Sequence, residues 1–142
     1  MSSSLPIQSP SSVVNQGEIE ASSQDLALTI ARAADDRKAE NISILKVGGV
    51  SYLADYFVIV TGFSKVQVRA ISQSIQDRVE KDCDRLCVRS EGQADGTWIL
   101  LDYGDAIAHI MMPDERDYYN LEAFWGHAER VEFSVSTPEV RR

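Results

Sequence analysis

Basic residues, cysteines and long apolar runs are all scarce in this sequence, and each scarcity removes a class of function. Lys and Arg number 14 against 22 acids, a net charge of -8 over 142 residues. Such a surface repels phosphate, so sequence-independent binding to DNA or RNA is not expected. If the partner is a ribonucleoprotein particle, the contact should fall on a basic protein, and complementary charge would speed the encounter. Cys83 and Cys87 are the two cysteines; two sulfurs cannot close a structural zinc site, and His109 and His127 are too distant in sequence to complete one. No secretory signal precedes them, so two reduced thiols in a cytoplasmic protein are expected, with neither metal nor cofactor. The longest apolar run, Tyr56–Val60, falls far short of the roughly 20 residues that span a bilayer. A soluble protein without a membrane partner is expected.

The scarcity of positive charge is sharpest at the start. Met1–Ala21 is rich in Ser, Pro and Gln, and the first basic residue is Arg32. Residues 1–21 therefore read as a disordered tail; an organellar presequence normally carries Arg, which this stretch lacks. Residues 131–142 read as a second loose tail. Between them, residues 22–130 are enough for one domain, and an apolar content of 44% supplies a core.

Within that domain the pattern predicts a first helix over Ser23–Asp35, capped by Ser22, with Leu26, Ile30 and Ala33 on one stripe. A strand follows at Asn41–Val47, and Tyr56–Val60 reads as a central strand covered on both faces. Ser64 and Gln67 form a capping box for a helix from Lys65 to about Lys81, with Val68, Ile71, Ile75 and Val79 at helical spacing. Leu86–Arg89 reads as a short strand, and Gly92 and Gly96 bracket a turn.

Thr97–Tyr103 and Ala106–Met112 are the clearest elements. Gly104-Asp105 joins them as a two-residue hairpin turn, which sets Leu101 opposite Ala108 and Ile99 opposite Ile110. One face then carries Ile99, Leu101, Tyr103, Ala106, Ala108 and Ile110; the other carries Trp98, Leu100, Asp102, Ile107, His109 and Met111. The first is aliphatic, as core packing wants. The second mixes Trp, Met and His with a carboxylate, which suits either an interface centre or a face roofed by a helix with Asp102 and His109 at its rim. Pro113 opens a last helix, Asp114–Trp125, whose stripe is Tyr118, Leu121 and Trp125, stopped by Gly126. The order α-β-β-α-β-β-β-α predicts an α/β domain around a sheet of about five strands. Trp98–Gly126 holds six acids against Arg116 alone, although acids that open a helix often only complement its dipole.

These residues resemble the ribosomal silencing factor (Iojap) family. The resemblance rests on Asp55-Tyr56-Phe57-Val58-Ile59-Val60-Thr61-Gly62, Gln67-Val68-Arg69-Ala70-Ile71 and Glu91-Gly92. It continues through Trp98-Ile99-Leu100-Leu101-Asp102-Tyr103-Gly104-Asp105, His109 and Tyr119-Asn120-Leu121-Glu122…Trp125-Gly126, so that it covers about residues 26–126. It implies a mixed sheet between helices, nucleotidyltransferase-like but without the catalytic carboxylates. It also implies binding to protein fourteen of the large ribosomal subunit, which blocks joining of the small subunit and represses translation when nutrients are scarce. Trp98 and Asp102 match the family's binding surface; Leu100, Tyr103, Asp105, His109, Met111, Tyr119, Leu121 and Glu122 are the accompanying candidates. Phe63 stands where the family usually has a smaller residue, and the Ser-rich leader is extra; neither receives a family role.

Rival readings are an adaptor for another partner, a nucleotidyltransferase and a hydrolase. The nucleotidyltransferase would hold phosphates at Gly62 and Ser64 and metal ions at Asp82 and Asp84; the hydrolase would pair His109 with Asp102 but has no placed nucleophile. No enzymatic activity is expected. An apolar face bare in the free protein also leaves a homodimer open.

Overall fold

The computed structural model describes residues 16–49 and 54–134. The leader before Gln16 and the tail after Ser134 lie outside the described residues. Helix α1 (Gln16–Asp36) leads into β1 (Glu40–Lys46) and β2 (Tyr56–Thr61), then α2 (Lys65–Cys83). Strands β3 (Arg89–Glu91), β4 (Trp98–Asp102) and β5 (Ala106–Met111) follow, then two short helices, α3 (Pro113–Tyr119) and α4 (Leu121–Phe124), and β6 (Glu129–Arg130). The sheet runs β3-β4-β5-β2-β1-β6. It is mixed, because β2 and β5 are parallel while the other pairings are antiparallel.

Period-2 alternation splits the core in two. Ile99, Leu101, Tyr103, Ala106, Ala108 and Ile110 point to one side with Tyr56, Val58 and Val60, where α1 and α2 cover them. Helix α1 presents Leu26, Ala27, Ile30, Ala31, Ala33 and Ala34 there, and its alanines let the backbone approach closely; α2 adds Val68, Ile71, Ile75 and Val79. Phe57, Ile59, Ile107 and Met111 point the other way, against Leu121 and Trp125. A continuous apolar run at β2 is the consequence of lying between two layers, and every residue of it is buried.

Local chemistry accounts for the boundaries. Ser64 Oγ accepts from the Gln67 amide at 3.0 Å, and the Gln67 side chain accepts from the Phe63 amide at 2.8 Å, so the capping pair closes one residue before the cap. Asp84 ends α2 in the left-handed region. Gly104 has φ +94 and Tyr103 N–H bonds Ala106 O at 2.9 Å, the tight turn that sets the hairpin register.

Five expectations need correction. Helix α1 begins at Gln16, so Ser22 is interior instead of a cap, and the Ser-rich composition hid a helix start. The third strand is Arg89–Glu91 and not Leu86–Arg89. The last helix is broken by Asn120 at φ 44, because Asn tolerates the left-handed region that stops a helix. A sixth strand at Glu129–Arg130 pairs with β1. Val131 and Phe133, assigned to a loose tail, pack on the α1–α2 core, and Val131 N–H bonds Ile44 O at 2.9 Å. No helix among the described residues is long and apolar enough to cross a membrane.

Candidate functional site

At the Trp98 end of the hairpin a groove of about 1080 Å³ opens between the β3–β4 edge and α3. Trp98, Tyr118 and Tyr119 supply aromatic surface and Leu100 an aliphatic wall. Glu91, Asp95, Asp114, Glu115 and Asp117 surround them with five carboxylates. Trp98 and Tyr119 touch with ring centroids 4.8 Å apart, and Tyr118 stands edge-on to Tyr119 at 4.9 Å. Tyr118 is 82% exposed, far more than folding alone requires of a tyrosine.

The groove wall is built by the loop between β3 and β4. Gly92 has φ +93, and a Cβ there would collide with the Trp98 carbonyl, so only glycine lets the loop pass under the start of β4. Arg69 on α2 holds the loop by donating to the carbonyls of Gln93 at 3.0 Å and Ala94 at 2.9 Å. Met112 N–H bonds Thr97 O at 2.9 Å and joins the far side of the groove to the same loop.

Behind the groove the rings continue inward. Trp98 Nε1 donates to His109 Nδ1 at 3.2 Å; His109 lies edge-on to Phe57 at 4.9 Å, and Phe57 edge-on to Trp125 at 5.5 Å. His109 is 5% exposed. Burial, helped by the charge of Arg116, pushes its pKa down to about 4.

The sequence candidates therefore divide. Trp98, Leu100 and Tyr119 meet in the groove, with His109 and Met111 buried beneath it. Leu121 packs half-buried on the same inner cluster. Tyr103 belongs to the opposite face, 2% exposed with an unpaired hydroxyl, and burial pushes its pKa up. Asp102 and Asp105 sit at the other end of the hairpin. Asp102 accepts from the Gly104 amide at 2.8 Å and pairs with Arg89 at 3.3 Å. Asp105 accepts from Ser23 at 2.8 Å and Arg85 at 2.6 Å; burial raises its carboxyl, but these bonds outweigh burial and hold it below its usual range. Glu122 is likewise opposed by burial and held low by Arg116 at 2.6 Å and Ser43 at 2.6 Å. Arg116 also donates to Thr61 at 2.9 Å, so that this cluster fastens α3 and α4 to β1 and β2.

The roof covers part of this face: α4 and Trp125 pack over the Phe57–Ile107 end, and the Trp98 edge stays open. Asp114, Glu115 and Asp117, which open or follow the start of α3, line the groove together with Glu91 and Asp95. Their convergence is tertiary, from three separate elements, and no local signal announces it.

Asp82 and Asp84 lie at the opposite end of α2 from Gly62 and Ser64, about 28 Å away for a helix of 19 residues. Asp82 is paired with Arg78 at 2.8 Å. No His, Cys, Asp and Glu cluster among the described residues is arranged to hold a metal.

Residues 20–142 match the family model described as ribosomal silencing factor during starvation. The chain is 43% identical to the ribosomal silencing factor of Bacillus subtilis over 106 residues, covering 74% of this chain and 89% of that protein. It is 40% identical to the silencing factor of Halalkalibacterium halodurans over 111 residues, 78% of this chain and 94% of that one. Against chloroplastic Iojap of Zea mays identity is 39% over 78% of this chain, but 48% of that longer protein. A crystal structure of a Chromobacterium violaceum protein superposes with a TM-score of 0.70 at 33% identity, covering 84% of this chain and 98% of that chain.

Proposed function

Because the chain belongs to the ribosomal silencing factor family, we propose that it binds the large ribosomal subunit through that subunit's protein fourteen. Bound there, it blocks joining of the small subunit and represses translation under nutrient limitation, in the cytoplasm. The observation that carries the docking surface is the groove beside Trp98, where three aromatic rings lie among five carboxylates. Aromatic anchors with an acidic rim suit a basic protein surface, which rings alone would not select.

The protein acts by occupancy. The nucleotidyltransferase reading is not favoured, because Asp82 and Asp84 stand a helix length from the Gly62–Ser64 turn that would hold phosphates. Purified protein should therefore transfer no nucleotide with magnesium or manganese.

Sucrose-gradient sedimentation tests the proposal. The protein should travel with free large subunits, be absent from small subunits, and reduce the joined particles when added before mixing. Sedimentation with small subunits, or in soluble complexes alone, would assign it another partner.

A further inference from the structure

Burial removes His109 from any docking surface, yet packing does not explain the residue. Its ring lies edge-on to Phe57 in the layer that also holds Ile107 and Met111, and its register partners in the sheet are Ile59 and Leu100. Nδ1 accepts the Trp98 indole N–H at 3.2 Å, whereas Nε2 is buried with no partner among the described residues. A neutral imidazole has one bare nitrogen, so this bond demands that Nδ1 be bare and Nε2 carry the proton. An N–H left unpaired in an apolar layer makes histidine a poorer core residue than Leu or Phe. What histidine adds there is an acceptor, at the place to which the indole N–H points.

The contacts on Trp98 show why an acceptor matters. Tyr119 lies against the indole at 4.8 Å with the planes tilted by 49°. That contact limits the ring's position but is weakly directional, and Trp98 is only half-buried at the groove wall. Among the described residues, the hydrogen bond to Nδ1 is the one directional restraint on the indole. We propose that His109 is a positioning residue: through Nδ1 it fixes the orientation of the Trp98 ring at the groove, so that the aromatic wall is preformed for the partner. The proposal rests on the groove being the docking surface. Burial also keeps the imidazole neutral, with its pKa near 4, so the acceptor persists across physiological pH.

Two measurements test it. In the ¹⁵N-labelled parent protein, long-range imidazole correlations should show His109 as the Nε2–H tautomer, with scalar coupling from Trp98 Nε1–H to Nδ1. A proton on Nδ1 would overturn the inference outright, without any variant. Large-subunit binding then compares His109→Leu with His109→Asn, whose side-chain oxygen stands where Nδ1 does. The Leu variant should bind about tenfold or more weakly, and the Asn variant within about threefold of the parent. A folded His109→Leu that binds like the parent, while Trp98→Ala does not, overturns the positioning role alone. If Trp98→Ala itself binds like the parent, the docking surface is wrong, whatever the tautomer. Should His109→Leu fail to fold, retained binding by His109→Asn together with a bare Nδ1 in the parent supports the role, and loss of binding by a folded His109→Asn overturns it.

Discussion

The two faces of the β4–β5 hairpin come from the same eleven strand residues, and they are finished differently. Toward α1 and α2 those residues are aliphatic, fully buried and sealed by two long helices. Toward α3 and α4 they are Trp, Leu, Asp, Ile, His and Met, and the roof is two short helices held by one ionic cluster. A sealed face contributes to stability and nothing else. A face roofed over only part of its length can keep a stable floor while exposing a rim, and the Trp98 groove is that rim.

The comparison breaks most visibly at Leu101, which is fully buried on the sealed face. Leu101→Ala should cost about 2–5 kcal/mol of stability by transfer and cavity terms. Chemical denaturation should report that loss, and affinity measured below the melting range should stay near the parent value. A comparable loss of affinity in the folded variant would show that the two faces are not separable.

Trp98→Ala should do the reverse. Its ring is half-buried at the groove, so the main loss is an interface anchor, about 2–4 kcal/mol or some 30- to 1000-fold in affinity for large subunits. The melting temperature should fall less than for Leu101→Ala. Melting the variant before the binding assay distinguishes an anchor from a core residue.

How far the two faces could be read beforehand depends on where their information lies. The hairpin register was legible because Gly104-Asp105 leaves a single pairing, and Ile99↔Ile110 and Leu101↔Ala108 follow. The break at Asn120 was not, since Tyr118, Leu121 and Trp125 keep helical spacing across it; yet Tyr118 is exposed and Trp125 turns inward to Phe57. Asp102 and Asp105 are candidates from the family motif and the aromatic residues around them; what only the fold adds is that Gly104, Arg89, Arg85 and Ser23 bond them. Strand β6 is two residues long and carries no pattern of its own.

The floor of the groove can be probed by pH. The His109 pKa falls from 6.5 in the unfolded chain to about 4 in the fold. Above pH 6.5 both states are neutral there and the contribution is complete. As pH falls from 6.5 toward 4 the unfolded chain takes up the proton first, and about 3 kcal/mol of stability should be lost. Asp105 and Glu122, held low by their Arg partners, lose their contributions at lower pH, below the ordinary carboxylate range. Denaturation midpoints measured from pH 7 to pH 4 should therefore decline for the parent and stay flatter for His109→Leu. Equal slopes would mean that His109 is not the group being protonated.

The smallest expected effect asks whether the groove acids serve the partner or only their own helix. Asp114 and Glu115 occupy the first turn of α3, where neutralising either should weaken the helix by about 0.3–1 kcal/mol through its dipole. Asp117 lies beyond that turn, on the same groove wall, and its charge gives the helix N-terminus no such support. Asp117→Asn should therefore leave the melting temperature nearly unchanged. If the groove receives a basic surface, that variant should associate more slowly with large subunits, by about three- to tenfold at low salt, and the difference should shrink as salt rises through the Debye screening range. Dissociation should change little, because a rim charge steers the encounter more than it holds the complex. A Glu91→Gln variant extends the test to the opposite wall, where no helix dipole exists to confuse the result. If Asp117→Asn and Glu91→Gln both associate at the parent rate at low salt while Trp98→Ala fails to bind, the aromatic wall docks without electrostatic guidance, and the acids serve solubility and the helix alone.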